Sequence, residues 1–306
     1  NSKFTKNKFK DSLETLYNLD DEMFRRDAIY EDTAHLADLG KLISELVELE
    51  PNDEIYDPCV GTGTLFAEIN KSNPNLNLNF IGSDINVNVL EKAFINSLVN
   101  VPNLELILGD STKAKPLKAK PSLIVSELPF GMRMRYQRSK PDKPSKNISE
   151  RDGSVKIMEN SMEFLTANGK AIFLITPSSL VNNTNQITNF RKQLIEKDYL
   201  RAIINFPPAT LDFTGAAIIA LVIDKNKIPQ HRNKFQILNI PENRESKRGE
   251  QFLSSENIDL IVKEFKNFTF SLYSDIKTNE EVSANKFTID LFDYSKSLLG
   301  EFINGK

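Results

Sequence analysis

The chain has a single cysteine, Cys59, and only two histidines, His35 and His231. One thiol excludes a disulfide framework and a thiolate metal cluster, and two imidazoles are too few for a histidine-built metal centre, so no metal is expected and a reducing compartment is. No apolar run approaches the roughly 20 residues that a membrane span needs. The basic opening residues Lys3, Lys6, Lys8 and Lys10 are not followed by the apolar stretch of a signal peptide, which makes the cytoplasm the expected location. Nor is there a surplus of positive charge, since 39 Lys and Arg stand against 42 Asp and Glu for a net charge of −3. A surface that grips nucleic acid all over needs clustered cations, so any such contact has to be local or shared with a partner. No repeat period is visible.

What is present is enough apolar sequence, 40% of 306 residues, to bury a large core in one main domain with an appendage. Helical spacing of apolar residues from Thr33 to Glu48 is broken at Glu50-Pro51-Asn52-Asp53, and a strand Glu54–Asp57 follows. Strand and helix then alternate: helix Thr64–Asn70, strand Asn79–Asp84, helix Val87–Leu98, strand Leu104–Leu108 and strand Ser122–Val125. That alternation means crossover units and a mainly parallel sheet. A basic stretch from Met132 to Asp152, with Arg133, Arg135, Arg138, Lys140, Lys143, Lys146 and Arg151, interrupts it and reads as a mobile loop. Order resumes with helix Ser154–Leu165, strand Lys170–Ile175, helix Thr188–Glu196 and strands Leu200–Phe206 and Ala216–Asp224. The connection Pro207–Gly215 is too short for a helical crossover, so the last two strands should form an antiparallel hairpin. Beyond Asn226 a strand Lys234–Leu238 and a helix Ser255–Phe268 are expected within an appendage or partner arm. The expected divisions are a helical segment over 1–32, a main α/β domain over 33–226 and the appendage over 227–306.

Chemistry concentrates where strands end. Asp57-Pro58-Cys59-Val60-Gly61-Thr62-Gly63-Thr64 turns the first strand into a helix, and its glycines let backbone N–H groups approach a ligand. A Walker loop would end Gly-Lys-Ser/Thr, but Gly63 is followed by Thr64-Leu65; a dinucleotide loop would place a third glycine where Phe66 stands. A ligand-free turn stays open as an alternative. Asp84, at the end of the second strand, can accept both hydroxyls of a ribose, and it can equally cap the helix that starts near Asn86. Asp110, followed by Ser111 at the end of the third strand, can accept from the amine of an adenine ring or serve only as a turn residue. The fourth strand runs into Glu127-Leu128-Pro129-Phe130-Gly131. A side-chain oxygen and a backbone carbonyl there can accept both N–H bonds of an exocyclic amine, and Phe130 can stack on a base taken out of its helix. A core phenylalanine is the bland reading.

These residues, in this order, resemble the N6-adenine DNA methyltransferases, in particular the modification subunit of type I restriction-modification systems. Asp57 to Gly63 resembles that family's Asp-Pro-x-x-Gly-Thr-Gly loop, and Thr33-Ala34 stands where the family has Thr-Pro. Further matches run through Asn168–Leu180, Phe190–Ile195, Ile203–Pro207, Phe213-Thr214-Gly215, Asp224-Lys225 and Val282–Phe287. The resemblance implies a Rossmann-like S-adenosylmethionine-dependent methyltransferase fold, with a mainly parallel seven-stranded sheet, an antiparallel hairpin strand and a small C-terminal appendage. It implies S-adenosyl-L-methionine as cofactor, held by Thr33, Asp57, Pro58, Gly61, Thr62, Gly63, Asp84, Ile85, Asp110 and Ser111. It implies a catalytic turn of Glu127, Leu128, Pro129 and Phe130, DNA contacts by Arg133, Arg135 and Arg138, and a separate specificity subunit, with a restriction subunit as a further partner. Where the family's turn reads Asn/Asp-Pro-Pro-Phe/Tyr, this chain has Glu127 and Leu128, a longer acid and a lost proline. That departure leaves open a scaffold or DNA-binding relative without activity, and an RNA or protein-amide methyltransferase is a third reading.

Overall fold

Strand sequences such as Lys170–Ile175 (KAIFLI) carry no polar alternation, which is the mark of a sheet covered on both faces. The structure, a computed structural model, describes residues 34–113, 117–136, 149–206, 217–240 and 254–291. Its elements in chain order are α1 (Ala34–Leu46), β1 (Glu54–Asp57), α2 (Thr64–Ser72), β2 (Asn79–Asp84), α3 (Val87–Asn100), β3 (Leu104–Leu108) and β4 (Leu123–Glu127). There follow β5 (Arg133–Tyr136), β6 (Ser149–Asp152), α4 (Gly153–Phe164), β7 (Lys170–Ile175), α5 (Ser178–Val181), α6 (Asn185–Glu196), β8 (Leu200–Asn205) and β9 (Ile219–Asp224). The last are β10 (Lys234–Asn239), α7 (Ser255–Asn267), β11 (Ser274–Thr278) and α8 (Asn279–Ala284).

The main sheet has the order β11-β10-β8-β9-β7-β4-β1-β2-β3. From β8 to the edge strand β3 it contains the seven expected strands, with β9 antiparallel to both β7 and β8, as the short 207–215 connection requires. The sheet is larger than expected, however, with nine strands instead of seven. Beyond residue 226 the chain does not only pack on the sheet: β10 pairs in parallel with β8, and β11 pairs antiparallel with β10. The basic stretch also departs from the expected loop, because Arg133–Tyr136 and Ser149–Asp152 pair as an antiparallel two-stranded ribbon.

Side chains alternate between two cores because the strand period is two. Ile55, Val125, Ile172 and Leu174 point to the side of α1, α2 and α7, where they meet Leu42, Phe66, Phe80 and Ile261. Tyr56, Ile124, Phe173 and Ile175 point to the side of α4, α6 and α8, where they meet Met158, Phe190 and Val282. Arg191 of α6 is fully buried and donates to the carbonyls of Leu180, Asn182 and Phe287, which ties the chain after α8 to α5 and α6. Among the described residues no helix is long and apolar enough to cross a membrane.

Parallel β1, β2, β3 and β4 all end on one edge of the sheet, with Asp57 level with Gly82 and Asp84 level with Leu108. Every strand-end residue picked out above therefore sits along that edge, where open α/β sheets bind their ligands.

Candidate active site

The glycine loop lies down on the sheet because β2 makes room for it. A Cβ on Gly82 would stand 2.8 Å from Val60, whereas no atom lies within 4 Å of where a Cβ on Gly61 would be. The loop is thus tight against β2 below and open above. Gly61 and Gly63 have φ of 56° and 76°, left-handed backbone that glycine adopts without penalty. Hydrogen bonds to β2 and α3 help to fix the loop. Val60 N donates to Ser83 O at 2.9 Å, Gly61 N to Asp84 Oδ2 at 3.2 Å, and the buried Asn96 of α3 donates to Thr62 O at 3.0 Å.

The three acids differ in how they are held. Asp57 is buried and accepts from Cys59 N at 2.8 Å and Ser126 Oγ at 2.5 Å. Burial pushes its carboxyl up to about 7 against those two hydrogen bonds, with further upward pressure from Asp84 and Glu127. The neighbouring Cys59 thiol is likewise pushed up, by burial first and then by Asp57 and Asp84, which removes it as a nucleophile. Asp84 accepts from Gly61 N and, at 2.8 Å, from Asn86 N. It does not cap α3; Asn86 does, accepting from Asn88 N at 3.1 Å. Ile85, the next residue, is 72% exposed at the rim of the same edge.

Asp110 is engaged by its own short 3₁₀ turn. Its Oδ1 accepts from the N–H and hydroxyl of Thr112, and its Oδ2 lies 3.0 Å from Lys113 Nζ. The Thr112 hydroxyl and Lys113 hold its carboxyl below the usual range against slight burial. Ser111 is buried and donates to Pro58 O at 2.6 Å, which links the end of β3 to the glycine loop.

The turn after β4 completes the edge. Burial pushes the Glu127 carboxyl up to about 7, and among the described residues no hydrogen-bond donor reaches it. Leu128 is buried among Ile124, Met158 and Phe173, and its N–H donates to Leu174 O at 3.1 Å. A proline at this position could not make the N–H bond, so Leu128 brings an anchor that a proline would lack. Pro129 is exposed and its carbonyl accepts from Ser154 Oγ at 2.8 Å. Phe130 is half-buried against the core on the α1 side, and Gly131 has a φ of 67°.

Asp57, Pro58, Gly61, Thr62, Gly63, Asp84, Ile85, Asp110, Ser111 and Glu127 to Phe130 thus share one edge of the sheet. Thr33 and Arg138 lie outside the described residues, and Arg133 and Arg135 belong to the ribbon strand β5 that leaves directly from the turn. Sequence reasoning missed Ser126, Asn96 and Ser154. Two of them carried a signal: a serine inside the apolar strand LIVSE and an asparagine on the buried face of α3 both need partners, because an unpaired buried polar group is costly.

Similarity to known proteins gives the family and the fold. The model of a family described as N-6 DNA Methylase matches residues 37–298. The type I restriction enzyme MjaVII methylase subunit of Methanocaldococcus jannaschii is 24% identical over 286 residues, covering 83% of this chain and 47% of that protein. The chain therefore spans about half the length of the curated relatives it matches. Among solved structures, the type I restriction-modification methyltransferase subunit from Streptococcus thermophilus superposes with a TM-score of 0.71 at 15% identity, over 86% of this chain and 58% of that one. A modification subunit of a putative type I restriction enzyme from Vibrio vulnificus gives 0.71 at 15% identity, over 95% and 66%. At these identities the superpositions show the fold, a class I methyltransferase sheet.

Proposed function

The chain belongs to the N-6 DNA methylase family, and on that premise we propose that it transfers a methyl group from S-adenosyl-L-methionine to N6 of an adenine in DNA, as the modification subunit of a type I system. The observation that carries this reading is the pair of acceptors at the end of β4. The Glu127 carboxylate and the Leu128 carbonyl, neither reached by a donor from the described residues, stand beside the glycine loop and its acids. An exocyclic amine with both N–H bonds donated to such a pair has its nitrogen lone pair turned out of the ring plane and available for attack. Phe130 supplies a face against which a base taken out of the duplex can stack.

The edge also suits the cofactor. Asp57, Asp84 and Glu127 bring three carboxyl groups together, and among the described residues no Lys or Arg forms an ion pair with any of them. Such a place welcomes a cation carrying a nucleoside more readily than a pyrophosphate. Asp57, Asp84 and the N–H groups of the glycine loop would hold it, with Ile85 against its base; bound there, it supplies an electrophilic methyl on a sulfonium. Asp110 would have to release its Thr112 or Lys113 contacts to take part, and the Lys113 contact is an exposed one of little strength. DNA contacts by Arg133, Arg135 and Arg138, and partnership with specificity and restriction subunits, belong to the same proposal, as does division at residues 32 and 226.

The test is calorimetric titration with S-adenosylmethionine, followed by tritium transfer to unmethylated DNA with and without a specificity subunit. Binding in the micromolar range and transfer to adenine N6 are the expected results. Because an ionised Glu127 is the stronger acceptor for the amine, kcat should rise with pH with a midpoint at or below about 7. Cofactor binding without transfer would establish the scaffold reading, and transfer to RNA alone would redirect the substrate.

A further inference from the structure

Glu127, Leu128, Pro129 and Phe130 make a turn in which one of the two acceptors, on the reading above, is a backbone carbonyl. A carbonyl cannot be aimed by its own rotamer; the peptides on either side have to be fixed. On the upstream side the Glu127–Leu128 peptide is fixed by the Leu128 N–H, which donates to Leu174 O of β7 at 3.1 Å. On the downstream side the Pro129–Phe130 peptide is fixed by Ser154, whose hydroxyl donates to Pro129 O at 2.8 Å. The Leu128 carbonyl lies between these two pinned peptides, followed by a proline ring that removes one rotation.

Ser154 is itself held. It is buried in the first turn of α4, and the preceding Gly153 donates its N–H to Met132 O at 2.8 Å, closing the turn from its far end. Asp152 caps α4 by accepting from Val155 N at 3.2 Å, and its other oxygen accepts from Ser179 Oγ at 2.9 Å. Its backbone N–H donates to Gln186 Oε1 and its carbonyl accepts from Gln186 Nε2, a reciprocal pair with α6. The N-terminus of α4 is thus fastened to α5 and α6 before it reaches the turn, and Ser154 is the side chain that passes this rigidity on.

We propose that Ser154 is a positioning residue: by taking Pro129 O it sets the Pro129–Phe130 peptide, so that the Leu128 carbonyl is left as the backbone acceptor for the amine and Phe130 is set for stacking. The inference rests on the methyl-transfer reading. It also explains how a turn with leucine in place of the family's first proline keeps its shape, since Leu128 N–H and Ser154 brace it from both sides.

The experiment compares the wild type, Ser154→Ala and Ser154→Thr on the same unmethylated DNA, with calorimetric S-adenosylmethionine binding and amide hydrogen exchange measured on each. In Ser154→Ala, amide exchange should rise several-fold at Leu128, Phe130 and Gly131 and stay unchanged in β1 and β7. Cofactor affinity and KM for DNA should hold, while kcat falls by about tenfold to a hundredfold, the loss that a shift near 1 Å at a reacting centre brings. Ser154→Thr, which keeps the hydroxyl, should recover most of kcat. Unchanged kcat or unchanged turn exchange in Ser154→Ala overturns the proposal. If cofactor affinity or KM moves together with kcat, Ser154 is structural and the proposal fails. A wild type that binds cofactor and transfers nothing sinks the methyl-transfer reading instead, and the exchange data then show separately whether Ser154 braces the turn.

Discussion

At the scale of single residues, buried acidity has a sign that can be read out. Asp57 keeps its proton up to about 7 in the fold, far above its value of 3.8 in an open chain. Between those two values the unfolded chain has lost a proton that the folded chain still holds, so stability falls as pH rises through that window, and Glu127 acts in the same direction. Wild-type protein without cofactor should therefore melt at a lower temperature at pH 8 than at pH 5. Asp57→Asn, whose amide oxygen can still accept from Cys59 N and Ser126 Oγ, should flatten that difference; equal slopes in the two proteins would disprove the assignment. The turn offers a second residue-scale test. Leu128→Pro would bring the sequence nearer to the family's turn, but it deletes the bond to Leu174 O and empties a fully buried side-chain site. Loss of a buried leucine costs about 2 kcal/mol or more. Thermal melts should show destabilisation by several degrees, and a variant that melts higher than wild type would mean the leucine is not an anchor.

At the scale of elements, the glycine loop and β2 depend on one another. Gly82 is a strand residue whose missing Cβ is filled by Val60, so Gly82→Ala drives a methyl into a β-branched side chain that cannot swing aside. The loop should lift, cofactor affinity should fall by about tenfold, and Val60→Ala placed in the same chain should restore most of it. A double variant as weak as the single one would show that the strain lies elsewhere. The glycine loop, the acid at the end of β2 and the hairpin of β8 and β9 were legible in the sequence, because each follows from local rules: turn chemistry, strand length and a connection too short to cross over. The pairing of Arg133–Tyr136 with Ser149–Asp152 was not legible, since charged residues dominate the second segment, arginines alternate through the first, and neither carries an apolar strand pattern. The cap of α3 stayed open in the sequence because Asp84 and Asn86 are both good caps, and only the backbone path decides between them.

At the scale of the whole molecule, a net charge of −3 argues for a local contact with nucleic acid, and the proposed place for it is the ribbon that follows the turn after β4. Replacing Arg133 and Arg135 together with glutamine should weaken DNA binding at low salt and reduce the slope of log K against log salt by about two. An unchanged slope, measured with the partner subunit present, would remove the ribbon from the interface. The addition of β10 and β11 to the sheet is also a property of the whole: the polar sequence after residue 226 shows one strand pattern at Lys234–Leu238, but its parallel seat beside β8 depends on an edge that only the folded sheet presents.

The sequence by itself determined the family, the alternation of strands and helices from α1 to β4, and the edge on which the acids, the glycines and the turn would gather, because strand ends in a parallel sheet are placed by connectivity alone. Tertiary structure decided which groups on that edge remain free to act. Asp110 is occupied by its own turn, Asp57 is buried and protonated more readily than an ordinary aspartate, and the Leu128 carbonyl is left between two pinned peptides. Those outcomes come from contacts between residues far apart in the chain, such as Ser111 with Pro58 and Ser126 with Asp57, and no local pattern encodes them.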